Sequence, residues 1–440
     1  MINLAEALPI LKDIDPIQVR GKVTNIVGLV VEGHGPGSAM GGLCEIYSQD
    51  GRSSVMAEVV GFKDSRVLLM PLGGLNGIGP GSTIAARKTS PSVKVGPALL
   101  GRVIDGLGNP MDDKGFIVLD KEMPLYGHHT NPLKKKRIDQ PLDIGINAIN
   151  SILTIGKGQR MAIMSGSGVG KSVLLGMMAR HTKADVNVIA LIGERGREVK
   201  EFIEKDLGQD GLKKSIVVAA TSDQPALVRI RGTYLATTIA EYFRDQGLDV
   251  LLMMDSITRF AMSMREIGLA IGEPPTTKGY TPSCFAKMPK LLERAGNTAS
   301  SGSITGLYNV LVEGDDFTEP VADTVRSIVD GHIVLARDLA ARNHYPAIDI
   351  LRSVSRVMND IVKPEHLKSA RKIQELMAIY EDARDLINIG AYVSGNNPQI
   401  DTAIKYIDAI NAFLKQDIDQ KCTIEESILG MKEILADLEW

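Results

Sequence analysis

Met161-Ala162-Ile163-Met164-Ser165-Gly166-Ser167-Gly168-Val169-Gly170-Lys171-Ser172-Val173-Leu174-Leu175 is the stretch that decides how this chain folds. An apolar run, a glycine-rich turn and a second apolar run spell a strand, a tight loop and a helix, the order that builds a P-loop. Glycines let successive backbone N–H groups converge on phosphate oxygens, and the N-terminus of the following helix adds partial positive charge. Within this cradle, Ser165 to Val173, Lys171 reaches the β- and γ-phosphates and the Ser172 hydroxyl is a ligand for Mg2+. Ser165 stands where the usual pattern has its first glycine, but it is small, and Gly168 and Gly170 are in place. The chain is expected to bind a nucleoside triphosphate.

Composition limits the rest. A chain of 440 residues is long enough for two or three domains. Its 50 basic and 53 acidic residues give a net charge of -3, so nothing global points to nucleic acid or to a membrane. Aromatic residues make up only 4% and glycine is plentiful, which suits an α/β enzyme. Cys44, Cys284 and Cys422 lie far apart with no metal-ligand spacing and fit a reducing compartment. The opening Met-Ile-Asn-Leu-Ala-Glu lacks a basic signal-peptide start and no apolar run approaches a membrane span, so a soluble cytoplasmic protein is expected.

Working outward from the loop, residues 1–92 read as short β pieces (Gly21 to Val31, Leu43 to Tyr47, Ser54 to Gly61, Arg66 to Pro71) between Gly/Pro turns. That spacing predicts a small barrel, preceded by an amphipathic opening segment carrying Leu4, Leu8 and Leu11. Residues 93–362 alternate apolar strands with helices, which predicts a parallel sheet covered on both faces. The strand candidates there are Met161–Met164, Val186–Ile192, Ser215–Ala220, Val250–Met254, Ile304–Val312 and Ile333–Ala336. Residues 363–440 are helical, with a break at Gly395-Asn396-Asn397-Pro398. The run Lys134-Lys135-Lys136-Arg137 reads as a solvated linker, a phosphate or partner contact being the other reading.

Two carboxylates extend the chemistry. Val250-Leu251-Leu252-Met253-Met254-Asp255 has the shape of a Walker B strand, which sets Asp255 at the C-terminal edge of the sheet to hold the water shell of Mg2+ beside Ser172. Val186–Ile192 runs out into Gly193-Glu194-Arg195-Gly196-Arg197-Glu198. Glu194 at that strand end is placed to polarise a water in line with the γ-phosphate; the plainer reading is a surface cluster of salt bridges.

Asp255-Ser256-Ile257-Thr258-Arg259-Phe260-Ala261, continuing to Gly272-Glu273-Pro274-Pro275, and Pro346-Ala347-Ile348-Asp349-Ile350-Leu351-Arg352-Ser353-Val354-Ser355-Arg356 carry a resemblance. The second resembles the signature of rotary ATP synthase α and β subunits. The first resembles the secretion branch of that superfamily, the flagellum-specific and virulence type III secretion ATPases. Gly101 to Gly108 and Leu311-Val312-Glu313-Gly314-Asp315-Asp316 add to the match, and the loop composition is closer to the flagellar branch.

The resemblance implies a RecA-like core between an N-terminal β-barrel and C-terminal helices, and ATP hydrolysis with Mg2+ that energises flagellar protein export. It implies that Glu194 is the catalytic glutamate with Arg195 its neighbouring arginine. Arg356 becomes an arginine finger inserted into the adjacent subunit, Tyr345 the ring that stacks on adenine, and Tyr392 a further wall of that pocket. A glutamate and a finger on one polypeptide favour a homohexamer, with the segment Glu273–Ala299 expected as a loop towards its channel. The partners implied are a stator-like regulatory subunit, a central-stalk-like subunit, the export gate, and export chaperones with their substrates. No nucleic acid is expected, and membrane association comes only through partners, at the inner-membrane export apparatus. A virulence secretion ATPase is the alternative. A hexameric RNA translocase resembling termination factor Rho fits less well, because residues 1–92 offer only Tyr47 and Phe62 for stacking and no basic cluster. A non-catalytic ring subunit is opposed by Glu194 beside an intact loop.

Overall fold

A computed structural model describes residues 19–438, apart from residues 89–90, 128–130, 132, 134, 300, 313 and 315. The opening segment with Leu4, Leu8 and Leu11, as well as Lys134, Glu313 and Asp315, lies outside the described residues.

Six strands close a barrel: β1 (Arg20–Val27), β2 (Val30–His34), β3 (Leu43–Tyr47), β4 (Ser54–Lys63), β5 (Arg66–Pro71) and β6 (Thr83–Lys88), in the order β1-β2-β5-β4-β3-β6. The segment Gly21 to Val31, expected as one strand, is a hairpin, because Gly28 takes φ 56 and turns the chain. The strand that closes the barrel, β6, was not anticipated; its Thr-Ile-Ala-Ala-Arg-Lys has only a short apolar centre. Val23, Val31, Ile46, Ala57, Val59, Leu69 and Ile84 fill the interior.

Beyond the barrel, β7 (Ser92–Val95) pairs with β9 (Lys121–Pro124), and β8 (Val103–Asp105) joins the large sheet. That sheet adds β10 (Arg160–Ser165), β11 (Val186–Ile192), β12 (Ser215–Ala220), β13 (Asp249–Asp255), β14 (Gly296–Asn297), β15 (Ser303–Leu311), β16 (Gly331–Leu335) and β17 (Ile348–Ser355). Its order is β17-β16-β10-β15-β13-β11-β12-β8, parallel from β16 to β8, with β17 antiparallel on one edge and β14 pairing β15 off the main path. Alternate residues of each strand face opposite layers, as the pleat requires. Val186, Val188, Ala190 and Ile192 pack with helices Ala226–Asp245 and Ile257–Ala270, whereas Ile189 and Leu191 pack with helix Lys171–His181. Ile373, Leu376, Ala403, Ile410 and Met431 of the C-terminal helices share that second layer, so the helical end is part of the core. Helix Pro398–Leu414 starts with Pro398 in its first turn and Asn397 capping it, which is the break read from the sequence.

One segment corrects the reading of the sequence. Glu273–Ala299, expected as a loop, contains the eleven-residue helix Pro282–Leu292, started by Pro282 in its first turn and buried through Cys284, Met288, Leu291 and Leu292. The signature after Pro346 forms strand β17, with His332 paired to Val354 and Leu335 to Ile348.

A buried ion pair fastens the barrel to the sheet domain: Glu58 on β4 meets Arg231 at 2.5 Å, and the Tyr126 hydroxyl donates to the same carboxylate. Removing one member of such a pair costs about 3–5 kcal/mol, because the other charge is left buried and uncompensated.

Candidate active site

The parallel registers bring the C-terminal ends of β10, β11, β13 and β15 to one sheet edge: Ser165 pairs with Leu311, Leu191 with Asp255, and Met254 with Tyr308. Ligands in open α/β sheets sit at this edge. The glycine loop leaves β10 there, and Gly168 (φ 77) and Gly170 (φ 84) take the left-handed conformation that lets the backbone turn directly into helix Lys171–His181. Ser165 and Gly166 are buried, Ser167 and Gly168 are exposed, Val169 is buried beneath the loop, and Ser172 lies exposed at the helix start. The Tyr345 ring lies against the loop: a Cβ at Gly170 would come within 3.3 Å of Tyr345 Cε1.

Lys171 sits between the two carboxylates. Its Nζ is 2.8 Å from Asp255 Oδ1 and 3.8 Å from Glu194 Oε1. Asp255 is 4% exposed and also accepts from Asn309 Nδ2 at 2.6 Å. Glu194 Oε1 is buried and has no hydrogen-bond partner among the described residues. Burial pushes the Glu194 carboxyl up to about 7, and the negative charge of Asp255 adds to the rise; Lys171 and Arg259 oppose it. Arg259, in the first turn of helix Ile257–Ala270, lies along Gly193, where a Cβ would come within 2.8 Å of its side chain. Gly193 has φ 71, so the turn from β11 into Glu194 requires glycine both for its backbone and for the space Arg259 fills.

A carboxylate that titrates near neutrality and has a free, buried oxygen is suited to accept a proton from water. The ionised form is the base, and kcat/KM reports the free enzyme. For ATP it is therefore expected to rise with pH through about 7. A pH–rate profile checks this, and the acid limb should disappear from the residual activity of Glu194→Gln.

The other sequence-chosen residues lie further out. Arg195 points to solvent and pairs with Glu198 at 3.0 Å rather than with Glu194. The Tyr392 hydroxyl donates to the Asn397 carbonyl and to Asp401, both 3.0 Å, in the turn between helices Pro364–Asn388 and Pro398–Leu414. Arg356 is exposed, with its guanidinium 3.3 Å from the Val329 carbonyl. It follows Ser355, which pairs with Gly331 at the start of β16, whereas Leu335 at the end of β16 is level with Ser165. The five steps of β10, at about 3.3 Å each, therefore put Arg356 about 16 Å down the sheet from its own loop.

Arg259 stood without a role in the run quoted after Asp255, and no motif pointed to Asn309 or Gln416. Asn309 was visible only as an amide inside an apolar strand. Gln416 ties the C-terminal helices to the site edge: its backbone N–H donates to the Tyr345 carbonyl at 2.9 Å and its amide bonds Asn147 and Gly145. A cavity of about 380 Å³ between the barrel and helices Ala226–Asp245, Ile257–Ala270 and Pro282–Leu292 includes none of the loop residues. The carboxylates converge at the sheet edge instead.

Comparison with known proteins agrees with this architecture. Residues 23–87 match the ATP synthase alpha/beta family, beta-barrel domain; residues 145–355 match the nucleotide-binding domain of the same family. Residues 362–433 match the T3SS EscN ATPase C-terminal domain. The chain is 53% identical over 423 residues to the flagellum-specific ATP synthase of Bacillus subtilis, covering 95% of this chain and 96% of that one. It is 49% identical over 417 residues to the type 3 secretion system ATPase of Xanthomonas euvesicatoria, covering 95% of this chain and 94% of that one. Among solved structures, the assembled ATPase EscN of the enteropathogenic E. coli type III secretion system superposes with TM-score 0.89 at 45% identity, covering 94% of this chain and all of EscN. Likeness of this extent, spread over barrel, sheet and C-terminal helices alike, means that the chain belongs to the flagellar and type III secretion ATPases of the ATP synthase α/β family.

Proposed function

We propose that this chain is a Mg2+-dependent ATPase that energises protein export through the flagellar type III apparatus, with active sites completed between the subunits of a homohexamer. The observation that carries this reading is Lys171 held between Asp255 and Glu194 at the end of a glycine loop, with Glu194 Oε1 buried and, among the described residues, without a hydrogen-bond partner. Ser165 to Val173 wrap the phosphates, and Lys171 exchanges Asp255 for the β- and γ-oxygens. Glu194 aligns the attacking water and takes its proton at Oε1. Tyr345 stacks on adenine, Tyr392 closes that pocket from the C-terminal side, and Arg195 and its partner Glu198 keep charge beside Glu194.

The donor set fits Mg2+: the Ser172 hydroxyl and the Asp255 carboxylate are hard oxygens near the end of the loop. Among the described residues no group of three or more His, Cys, Asp or Glu forms a metal site. Phosphate oxygens and water would complete the shell of an ion held by Ser172 and Asp255. When bound, Mg2+ would neutralise charge developing on the transferring phosphoryl group.

EscN is described with its central stalk EscO, and by likeness this chain takes a stalk-like subunit in its ring. A stator-like regulatory subunit, the export gate, and chaperones with their substrates complete the set. Among the described residues no helix is long and apolar enough to cross a membrane, and docking at the inner membrane through these partners is part of the proposal. The Xanthomonas relative favours a second reading, a virulence secretion ATPase. Deletion of the coding sequence in its source organism tests both. Loss of filaments and swimming with effector secretion intact is expected; normal filaments and motility would overturn the flagellar reading.

A further inference from the structure

Strand β15 lies in the sheet between β10, which carries the loop, and β13, which carries Asp255. It is therefore the strand whose side chains can touch both. Asn309 stands on it between Tyr308 and Val310, both fully buried, and is itself 1% exposed. A buried amide inside an apolar strand is costly unless its polar atoms are matched. Here both ends of the amide are turned to the site. Nδ2 donates to Asp255 Oδ1 at 2.6 Å, and Oδ1 faces the Ser165 hydroxyl at 3.5 Å, at the outer limit of a hydrogen bond. An ionised carboxylate only accepts, so the NH2 end must be the one that meets Asp255.

Asp255 Oδ1 thus receives two donors, Lys171 Nζ and Asn309 Nδ2. Only one of them is free to leave. Lys171 sits on a flexible stem at the loop and is the group that must move to the phosphates. Asn309 sits in the middle of a buried sheet and cannot follow it. Once Lys171 departs, the amide is the donor that keeps the carboxylate in its present orientation. We propose that Asn309 is a positioning residue: it holds Asp255 in place while Lys171 transfers to the nucleotide, and it links that carboxylate to Ser165, the non-glycine at the start of the loop. The inference rests on the roles assigned above to Lys171 and Asp255.

The test uses the full chain and three readouts: turnover, affinity for a non-hydrolysable ATP analogue in EDTA, and the gain in that affinity when Mg2+ is added. Asn309→Leu keeps the branching and the number of side-chain heavy atoms and removes the donor. It is expected to lower kcat and the Mg2+-dependent gain between about 10- and 100-fold, the usual range for a group that orients a metal ligand. Affinity in EDTA should stay within twofold.

An equal fall of affinity with and without Mg2+ would mean that Asn309 only supports the fold and would overturn the proposal, as would an unchanged kcat and Mg2+ gain. Should Asn309→Leu fail to fold, Asn309→Val, a smaller side chain suited to a strand and without a donor, carries the test. A selective loss of the Mg2+ gain then supports the proposal and an unchanged gain overturns it. Asp255→Ala is the control for the underlying reading. If it leaves the Mg2+ gain intact, the assignment of Asp255 fails; if it abolishes the gain while the Asn309 variants do not, only the role of Asn309 fails.

Discussion

Glu194→Gln is expected to bind ATP as well as the parent chain and to lose turnover by about 10²–10⁴-fold, the usual contribution of a positioned general base. The amide has the shape of the carboxylate, so the fold at the end of β11 should not change. What it lacks is an acceptor that can become a full base: Oε1 is buried and, among the described residues, has no hydrogen-bond partner that the amide would have to replace. Affinity for the triphosphate should hold or rise, because the substitution removes a negative charge 3.8 Å from the Lys171 ammonium. Equilibrium binding of ATP together with single-turnover hydrolysis checks both halves. Near-parental turnover would remove Glu194 from catalysis and return it to a structural ion pair with Lys171.

The second large effect is expected at Arg356, and it arises between subunits. Arg356→Ala should lower turnover by about 10³–10⁵-fold, the contribution of an arginine that stabilises charge on a transferring phosphoryl group. Within one subunit this arginine cannot serve: it lies about 16 Å along the sheet from the loop edge, held at the Val329 carbonyl. It is exposed, however, and so available to a neighbour. Specific activity should therefore rise with protein concentration. More tellingly, Arg356→Ala mixed with Lys171→Ala should regain activity, because some interfaces then combine an intact loop with an intact arginine. Mixed assemblies that stay inactive, or a monomer with full specific activity, would contradict the arrangement.

Much of the site was legible along the chain, for a physical reason. The loop from Ser165 to Ser172 needs glycines for backbone conformation, a helix for its dipole and an apolar strand for its position, and all three are local. Asp255 and Glu194 were legible for a related reason, each being the first carboxylate at or just beyond the end of a buried apolar run. The barrel was legible as a kind of structure but not in its detail. The closing strand Thr83–Lys88 depends on pairing with strands far away in sequence. Helix Pro282–Leu292 was hidden by the prolines and glycines on either side of it, which mask a buried apolar face of only four residues.

By itself, then, the order of residues determined the nucleotide loop, the two carboxylates and the succession of barrel, alternating sheet and helices, because each rests on backbone preference and apolar period over a short span. Only the tertiary structure decided how they meet. Lys171 and Asp255 are 84 residues apart, and Asp255 and Asn309 are 54 apart; their contacts exist because sheet order sets β15 between β10 and β13. The same order runs β17 antiparallel along the edge, so that Tyr345 meets its own loop while Arg356 faces away from it. No local pattern encodes that division, since strand order is a long-range choice made by the packing of the two faces of the sheet.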